Sequence, residues 1–429
     1  MKELEVLFWA DHPLEGRNAG TILDHIHSFF EYSEHSLHSL PIKGALPRRL
    51  NLDWFDVLVI HYSLYIPLDS YISRQSKARI QDFKGLKVVY LQDEYRNVWS
   101  VVKQLQILGI DILFTCVPAG EMEKVYPSTI LPKLRKVNVL TGYVPEELTH
   151  LEVPQIAQRE IDVGYRARKP PYWLGALGVE KYDIADRFRD QISDIALNLD
   201  LSCEEEDRIY GEDWIRFLTS CKTTLGVESG ASLTDFTGEL QRAVSSFLES
   251  NPDAEFHEVH ELFFKEYEGN VCLNQISPRC FEAAALKTTM ILYEGDYSGI
   301  LEPWQHYIPL QKDFGNFPEI LEVLRDSARL QTIADRCYEE IALNPEYSYR
   351  SHIDQFDRVL AEEFKQRKCT SAEPGLSSEE IEAILEPHIS DFILDTDRAI
   401  LTTGLKIWRR TPNLVKKVVR PIVRLIRST

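Results

Sequence analysis

The chain has 429 residues, of which 44% are hydrophobic and 27% charged, and a formal net charge of −19. That length predicts two or more domains, and that composition suffices for sizeable soluble cores. The acidic balance argues against a general nucleic-acid binder, although it does not bear on a local basic site. Seven cysteines (116, 203, 221, 272, 280, 337 and 369) form no Cys-x-x-Cys pair. Reduced thiols are the expected state, with neither a disulfide framework nor a zinc site. No apolar run reaches the roughly 18 residues of a membrane span, and Met1-Lys-Glu-Leu-Glu leads into a strand rather than a signal peptide. The expected location is therefore cytoplasmic.

In chain order, Leu4 to Ala10 is an apolar run of strand length, Asp11 to Asn18 a polar turn, and Gly20-Thr21-Ile22 the opening of a helical pattern. The turn lacks a full Gly-x-Gly-x-x-Gly, so a dinucleotide fingerprint is not supported. Further strand-like runs at 55–60, 87–91, 112–116 and 137–140, separated by helical stretches, predict a parallel α/β domain over residues 1–155. Ligands of such sheets bind beyond the carboxyl ends of the strands. The acceptor-side candidates there are Asp11, Asn18 and Gly20. His61 and Asp93 are the candidate bases, because either reaches a suitable pKa with modest burial. Asp93 competes with its neighbour Glu94 for that role.

Gly142 to Pro145 and Val153-Pro154 read as an interdomain linker. A second α/β domain is expected over 156–345. Its first strand ends in Gly164-Tyr-Arg166-Ala-Arg168, where glycine would allow close backbone approach and guanidinium groups match phosphate oxygens. An amphipathic stretch at 176–198, an acidic connection at 199–210 and a short helix at 210–218 follow. The strand 223–227 then ends at Glu228-Ser229-Gly230. Residues 274–295 form the stretch around which the domain is built: a loop, a helix entered through Ser277-Pro278-Arg279 and carrying Glu282, and the strand Met290 to Tyr293. Pro278 suits a first helical turn, Ser277 is placed to cap it, and the helix start beside Arg279 makes a natural anion site. Residues 346–370 carry a helical pattern, and 371–429 read as a helical extension opening near Ser378 with Glu379 and Glu380 in its first turn.

Taken together, the wording Asp162-x-Gly-Tyr-Arg-x-Arg, Glu205 to Leu218, Leu225-Gly-x-Glu-Ser-Gly and Ile276-Ser-Pro-Arg-x-Phe-Glu-Ala to Leu301 resembles GT-B glycosyltransferases of the group-1 type and their spore-coat-like relatives. The resemblance covers about residues 160 to 326. It implies two Rossmann-like doubly wound domains facing a cleft, with the helix of 346–370 crossing back to the first, a nucleotide-sugar as donor substrate, and a hydroxyl on a glycan or lipid-linked precursor as acceptor. It assigns the donor to Gly164, Arg166, Arg168, Glu228, Ser229, Gly230, Ser277, Arg279, Glu282, Ser298 and Gly299, with no metal and no further cofactor. In the family two glutamates eight apart mark the site; Glu282 holds the second position and Asn274 stands at the first. The implied activity is sugar transfer, and the alternative is a nucleotide-sugar-binding or scaffold protein that has lost it.

Asp395-Thr-Asp397 matches a metal-binding pattern of other sugar transferases, but it lies outside both α/β domains and reads as a solvated acidic patch. Beyond it come eight cations, Lys406, Arg409, Arg410, Lys416, Lys417, Arg420, Arg424 and Arg427, and from Thr411-Pro412 a helical pattern sets Val415, Val418, Val419, Ile422 and Ile426 on one face and Lys417, Arg420, Arg424 and Arg427 on another. Such a basic amphipathic tail, at 405–429, suggests peripheral contact with an anionic membrane surface.

Overall fold

The computed structural model describes residues 3–13, 20–192, 195–367 and 378–385. The first domain contains β1 (Glu5–Trp9), β2 (Ser36–Leu40), β3 (Val57–Ile60), β4 (Leu86–Leu91), β5 (Ile112–Thr115) and β6 (Arg135–Asn138). They form one all-parallel sheet in the order β2-β1-β3-β4-β5-β6. The second contains β7 (Ile161–Arg166), β8 (Leu199–Ser202), β9 (Cys221–Gly226), β10 (Thr289–Tyr293) and β11 (Tyr307–Leu310), parallel in the order β11-β10-β9-β7-β8.

Interior strands such as Val57-Leu-Val-Ile and Ile112-Leu-Phe-Thr are buried at every position, as a parallel sheet covered on both faces requires. The two strands that sequence reading passed over, β2 and β8, are both edges. Ser-Leu-His-Ser-Leu and Leu-Asp-Leu-Ser pair on one side only, and β8 is partly exposed along its whole length. An edge strand has less surface to bury, so its polar residues hide it among connections.

The helix Thr21–Tyr32 packs Ile26 and Phe29 on the first sheet, and the helix Tyr349–Gln366 adds Ile353, Phe356 and Leu360 to the same core. The rings of Phe29 and Phe356 meet edge to face at 5.0 Å. The Asp357 carboxylate fixes this docking by accepting from the Ser33 hydroxyl and the Glu34 amide, both at 2.8 Å. A helix that follows the second sheet thus completes the core of the first.

The second core joins Val163, Leu225, Ile291 and Ile308 to Ile184, Phe188, Phe317 and Ile320. Arg159, 4% exposed, ties its floor together. Its guanidinium donates to the carbonyls of Pro154, Cys221 and Leu286 and to the Thr288 hydroxyl at 2.8–3.0 Å. Burial pushes its pKa down to about 10. The helix Pro278–Ala285 buries Cys280, Phe281 and three alanines, small side chains that let it lie close to β10.

A separate compact unit contains, among the described residues, the segment 46–51 and the helix Ser378–Leu385, with Glu379 and Glu380 in its first turn. Among the described residues no helix is long and apolar enough to cross a membrane. Asn18, Asp395 to Asp397 and the tail 405–429 lie outside the described residues.

Candidate functional site

A cavity of about 250 Å³ lies beyond the carboxyl ends of the strands. One wall is Asp93 and Tyr95, just after β4. The opposite wall is built from Arg168 after β7, Lys181 on the helix Ala176–Gln191, Ser229 after β9, and Ser277, Arg279 and Cys280 where the helix Pro278–Ala285 begins. A second hollow of about 150 Å³ shares Ala167, Arg168, Trp214 and Arg279 with it and extends to Gly20, Thr21, Tyr210 and Glu282.

Three cations face this space. Arg168 is exposed and makes no hydrogen bond or ion pair among the described residues. Arg279 lies 5.0 Å above the Trp214 ring and donates to the Arg166 carbonyl. Lys181 was not anticipated from sequence, because it sits inside a stretch read only as an amphipathic helix. Its ammonium has no ion pair among the described residues, and burial lowers its pKa; Asp93 acts to raise it, Arg279 and Arg168 to lower it further. The start of the helix Pro278–Ala285 adds its positive dipole end. Ser277 makes no side-chain cap, contrary to expectation; only its carbonyl is engaged, accepting from the Cys280 amide at 2.9 Å.

Arg166 is placed differently from its expected role. Its guanidinium reaches the Asp200 carboxylate at 2.7 Å and the Asp200 carbonyl at 2.9 Å, and it lies 4.5 Å from the Phe217 ring centre. Those bonds commit it to holding β7 against β8. Gly164 is likewise a packing residue: a Cβ there would fall 2.2 Å from the Cys221 sulfur and 2.9 Å from Phe217. Close contact between β7, β9 and the helix Gly211–Ser220 is what demands glycine.

Glu282 accepts from the Trp214 indole at 2.8 Å. Burial raises its pKa, against the indole bond and Arg279. Asp24, in the first turn of Thr21–Tyr32, is pushed up to about 7 by burial first, then by Glu147 and Glu282. Asp24 was also missed from sequence, where a lone carboxylate early in a helix reads as dipole complementarity.

The two candidate bases part company. Asp93 is exposed on the cavity wall, held at φ +57°. Glu94 turns away, accepting from the Thr115 and Tyr126 hydroxyls at 2.5 Å each and from the Cys116 amide at 3.0 Å. His61 is sealed at 0% exposure, its Nε2 2.9 Å from His25 Nδ1 and its Nδ1 2.9 Å from Ser63 Oγ. Burial drives its pKa well down. An imidazole enclosed in this way meets no substrate, so the geometry removes His61 as a base. Asp11 is paired with Lys43 at 2.5 Å, while Gly20 lines the smaller hollow.

Among the remaining residues, Ser229 faces the cavity, but Glu228 is 7% exposed and fully engaged. Its carboxylate accepts from the Asn274 amide at 2.7 Å and from the backbone amides of Asp296 and Tyr297 at 3.2 and 2.9 Å. Gly230, at φ +103°, passes so close to Leu273 that a Cβ would lie 2.0 Å from its carbonyl oxygen. Ser298 and Gly299 line another groove, with Tyr143 and Tyr347, and not this cavity. Among the described residues no group of three or more His, Cys, Asp or Glu side chains is placed to hold a metal ion.

The fold is the GT-B fold. An alpha-glucosyltransferase solved with UDP-glucose and DNA containing an abasic site aligns at TM-score 0.52 and 12% identity, covering 84% of this chain and 100% of its own. An alpha-glucosyltransferase solved with UDP and a 13-mer DNA at 2.8 Å resolution aligns at 0.51 and 12%, with the same coverage. The Anabaena HepE structure with UDP-glucose aligns at 0.45 and 9%, covering 85% of this chain and 100% of that one; the fold assignment rests on the first two. No family model matches the chain. No curated protein matches it either.

Proposed function

We propose that the protein is a glycosyltransferase that moves a sugar from a nucleotide-sugar to a hydroxyl acceptor in the synthesis of a cell-surface polysaccharide or glycolipid. One observation carries this reading: Arg168, Lys181 and Arg279, none of them in an ion pair among the described residues, meet at a helix start on one cavity. Such a set matches a diphosphate, with guanidinium forks for its oxygens and an ammonium as point charge. Negative charge grows on the leaving phosphate as the sugar departs, and cations already in place stabilise that state more than the ground state. Glu282 accepts a ribose hydroxyl. Asp93, on the opposite wall, takes the proton of the attacking hydroxyl.

The glucosyltransferases that share the fold were solved with UDP or UDP-glucose, which makes uridine the first base to try. The test is to incubate the protein with UDP-, GDP- and ADP-sugars, with and without cell-envelope extract, and measure nucleotide release. Tight binding with no turnover in the presence of extract rejects transfer. It supports a second reading, a nucleotide-sugar-binding or scaffold protein, which the Asn274 to Glu228 bond favours: the position of the family's first glutamate is here tied into the structure. On sequence grounds, residues 405–429 hold the protein at an anionic membrane surface. Their deletion without loss of binding to anionic vesicles removes that reading.

A further inference from the structure

The loop that carries Asp93 continues into Tyr95 and Arg96, and these meet an aromatic residue of the second domain. The rings of Tyr95 and Trp173 lie 5.9 Å apart at 42°. The Arg96 guanidinium carbon is 5.6 Å from the Trp173 ring centre and 5.8 Å from that of Tyr65. Arg96 makes no ion pair and no side-chain hydrogen bond among the described residues, so its charge is met only by aromatic faces. Tyr95 itself lines the cavity, as do Pro170 and Leu174 on either side of Trp173.

We propose that this rim is the acceptor subsite and that it takes an acidic sugar: a pyranose face on Tyr95 and Trp173, with a carboxylate or phosphate on Arg96. The proposal rests on the transferase reading above. Its first ground is shape and polarity, since the weakly positive C–H face of a pyranose complements the negative face of an aromatic ring. The second is charge. Arg96, a few residues from the proposed base, has no ion pair among the described residues, and its fork matches an acidic group.

The third ground is that the loop is held in place. Asp93 and Asn97 bracket it with φ of +57° and +51°, and the Tyr95 carbonyl accepts from the Asp235 amide at 2.8 Å. Left-handed non-glycine residues persist where the surroundings over-determine them, and such places are often ligand sites. An arginine that served only to stack the two domains together would confer no preference between acidic and neutral sugars. That difference separates the subsite from a structural role.

The experiment uses the full-length protein saturated with whichever of UDP, GDP or ADP it binds, titrated with methyl β-glucuronide, glucose 6-phosphate and methyl β-glucoside. Binding is read by saturation-transfer NMR and tryptophan fluorescence. At least one acidic sugar is expected to bind about tenfold or more tighter than the neutral glucoside, the preferred one identifying carboxylate or phosphate. Arg96→Gln is expected to abolish the preference while nucleotide affinity stays within about twofold. Arg96→Lys, which keeps the charge and the stack, retains part of it. Equal binding of acidic and neutral sugars, binding of none, or an unchanged preference in Arg96→Gln overturns the subsite. Failure to bind any of the three nucleotides overturns the transferase reading, and the subsite with it; nucleotide binding without acid preference overturns the subsite alone.

Discussion

Replacing Lys181 by Met leaves a side chain of similar length and helix propensity but removes one of three cations from the proposed diphosphate site. Two unit charges 4 Å apart attract by about 4 kcal/mol at an effective dielectric constant of 20. Part of that is lost to dehydration, and hydrogen bonds to charged groups net about 1.5–3 kcal/mol. A loss of about 2–3 kcal/mol is therefore expected, or about 30- to 150-fold in the dissociation constant of a nucleoside diphosphate. Titration calorimetry measures it directly. The pH dependence supplies a second reading of the same site. In the free protein Lys181 has a lowered pKa, by burial first, with Arg279 and Arg168 adding to it against Asp93. A bound diphosphate favours the charged form and raises that pKa, so binding takes up a proton and affinity falls as pH rises through the free-state value. Heats measured in buffers of different ionisation enthalpy show this uptake for the native protein, and Lys181→Met lacks it. A variant that binds within about twofold of the native protein, or a native protein with no proton uptake above pH 7, refutes the placement of the diphosphate against Lys181.

Asp93→Asn is expected to lower transfer by about 10²- to 10⁴-fold while nucleotide affinity is unchanged; unaltered turnover removes Asp93 as the base. His61→Asn, in contrast, costs about 1–3 kcal/mol in urea unfolding through its lost buried bonds, with turnover of the folded protein preserved. Arg159→Met leaves three carbonyls and the Thr288 hydroxyl short of a donor and is expected to destabilise the protein by about 3–5 kcal/mol, measured by chemical denaturation. Gly230→Ala forces a Cβ to within 2.0 Å of the Leu273 oxygen at φ +103°. A cost of about 2 kcal/mol or more in thermal unfolding is expected, and none would show that the neighbouring backbone pair, Ser229 and Gln275, which exchange amide-to-carbonyl bonds at 2.7 and 3.0 Å, shifts freely.

The order of elements was legible because interior strands announce themselves. Val57 to Ile60 and Ile112 to Thr115 are apolar at nearly every position, buried on both faces. The edges β2 and β8 were not legible, since one paired side and a half-wet surface leave their composition polar. At the site, the Ser277-Pro278-Arg279 start was readable because proline and a basic residue in a first helical turn have few other uses. Lys181 was not, because a lysine in an amphipathic helix has the same local pattern whether it faces solvent or a cavity. Gly164 and Arg166 illustrate the converse difficulty: a glycine for close packing and an arginine bonded to Asp200 look, in sequence, like phosphate ligands. Only the partners, Cys221 and Asp200, distinguish the two, and they lie tens of residues away.

The central claim is that Arg168, Lys181 and Arg279 hold a nucleoside diphosphate. Titration calorimetry with UDP, GDP and ADP, alongside the matching monophosphates, tests it most directly. One diphosphate is expected to bind, with its monophosphate about tenfold or more weaker, and with the difference lost in an Arg168→Gln, Arg279→Gln double variant. Equal affinity for mono- and diphosphates, or binding untouched in the double variant, would contradict it.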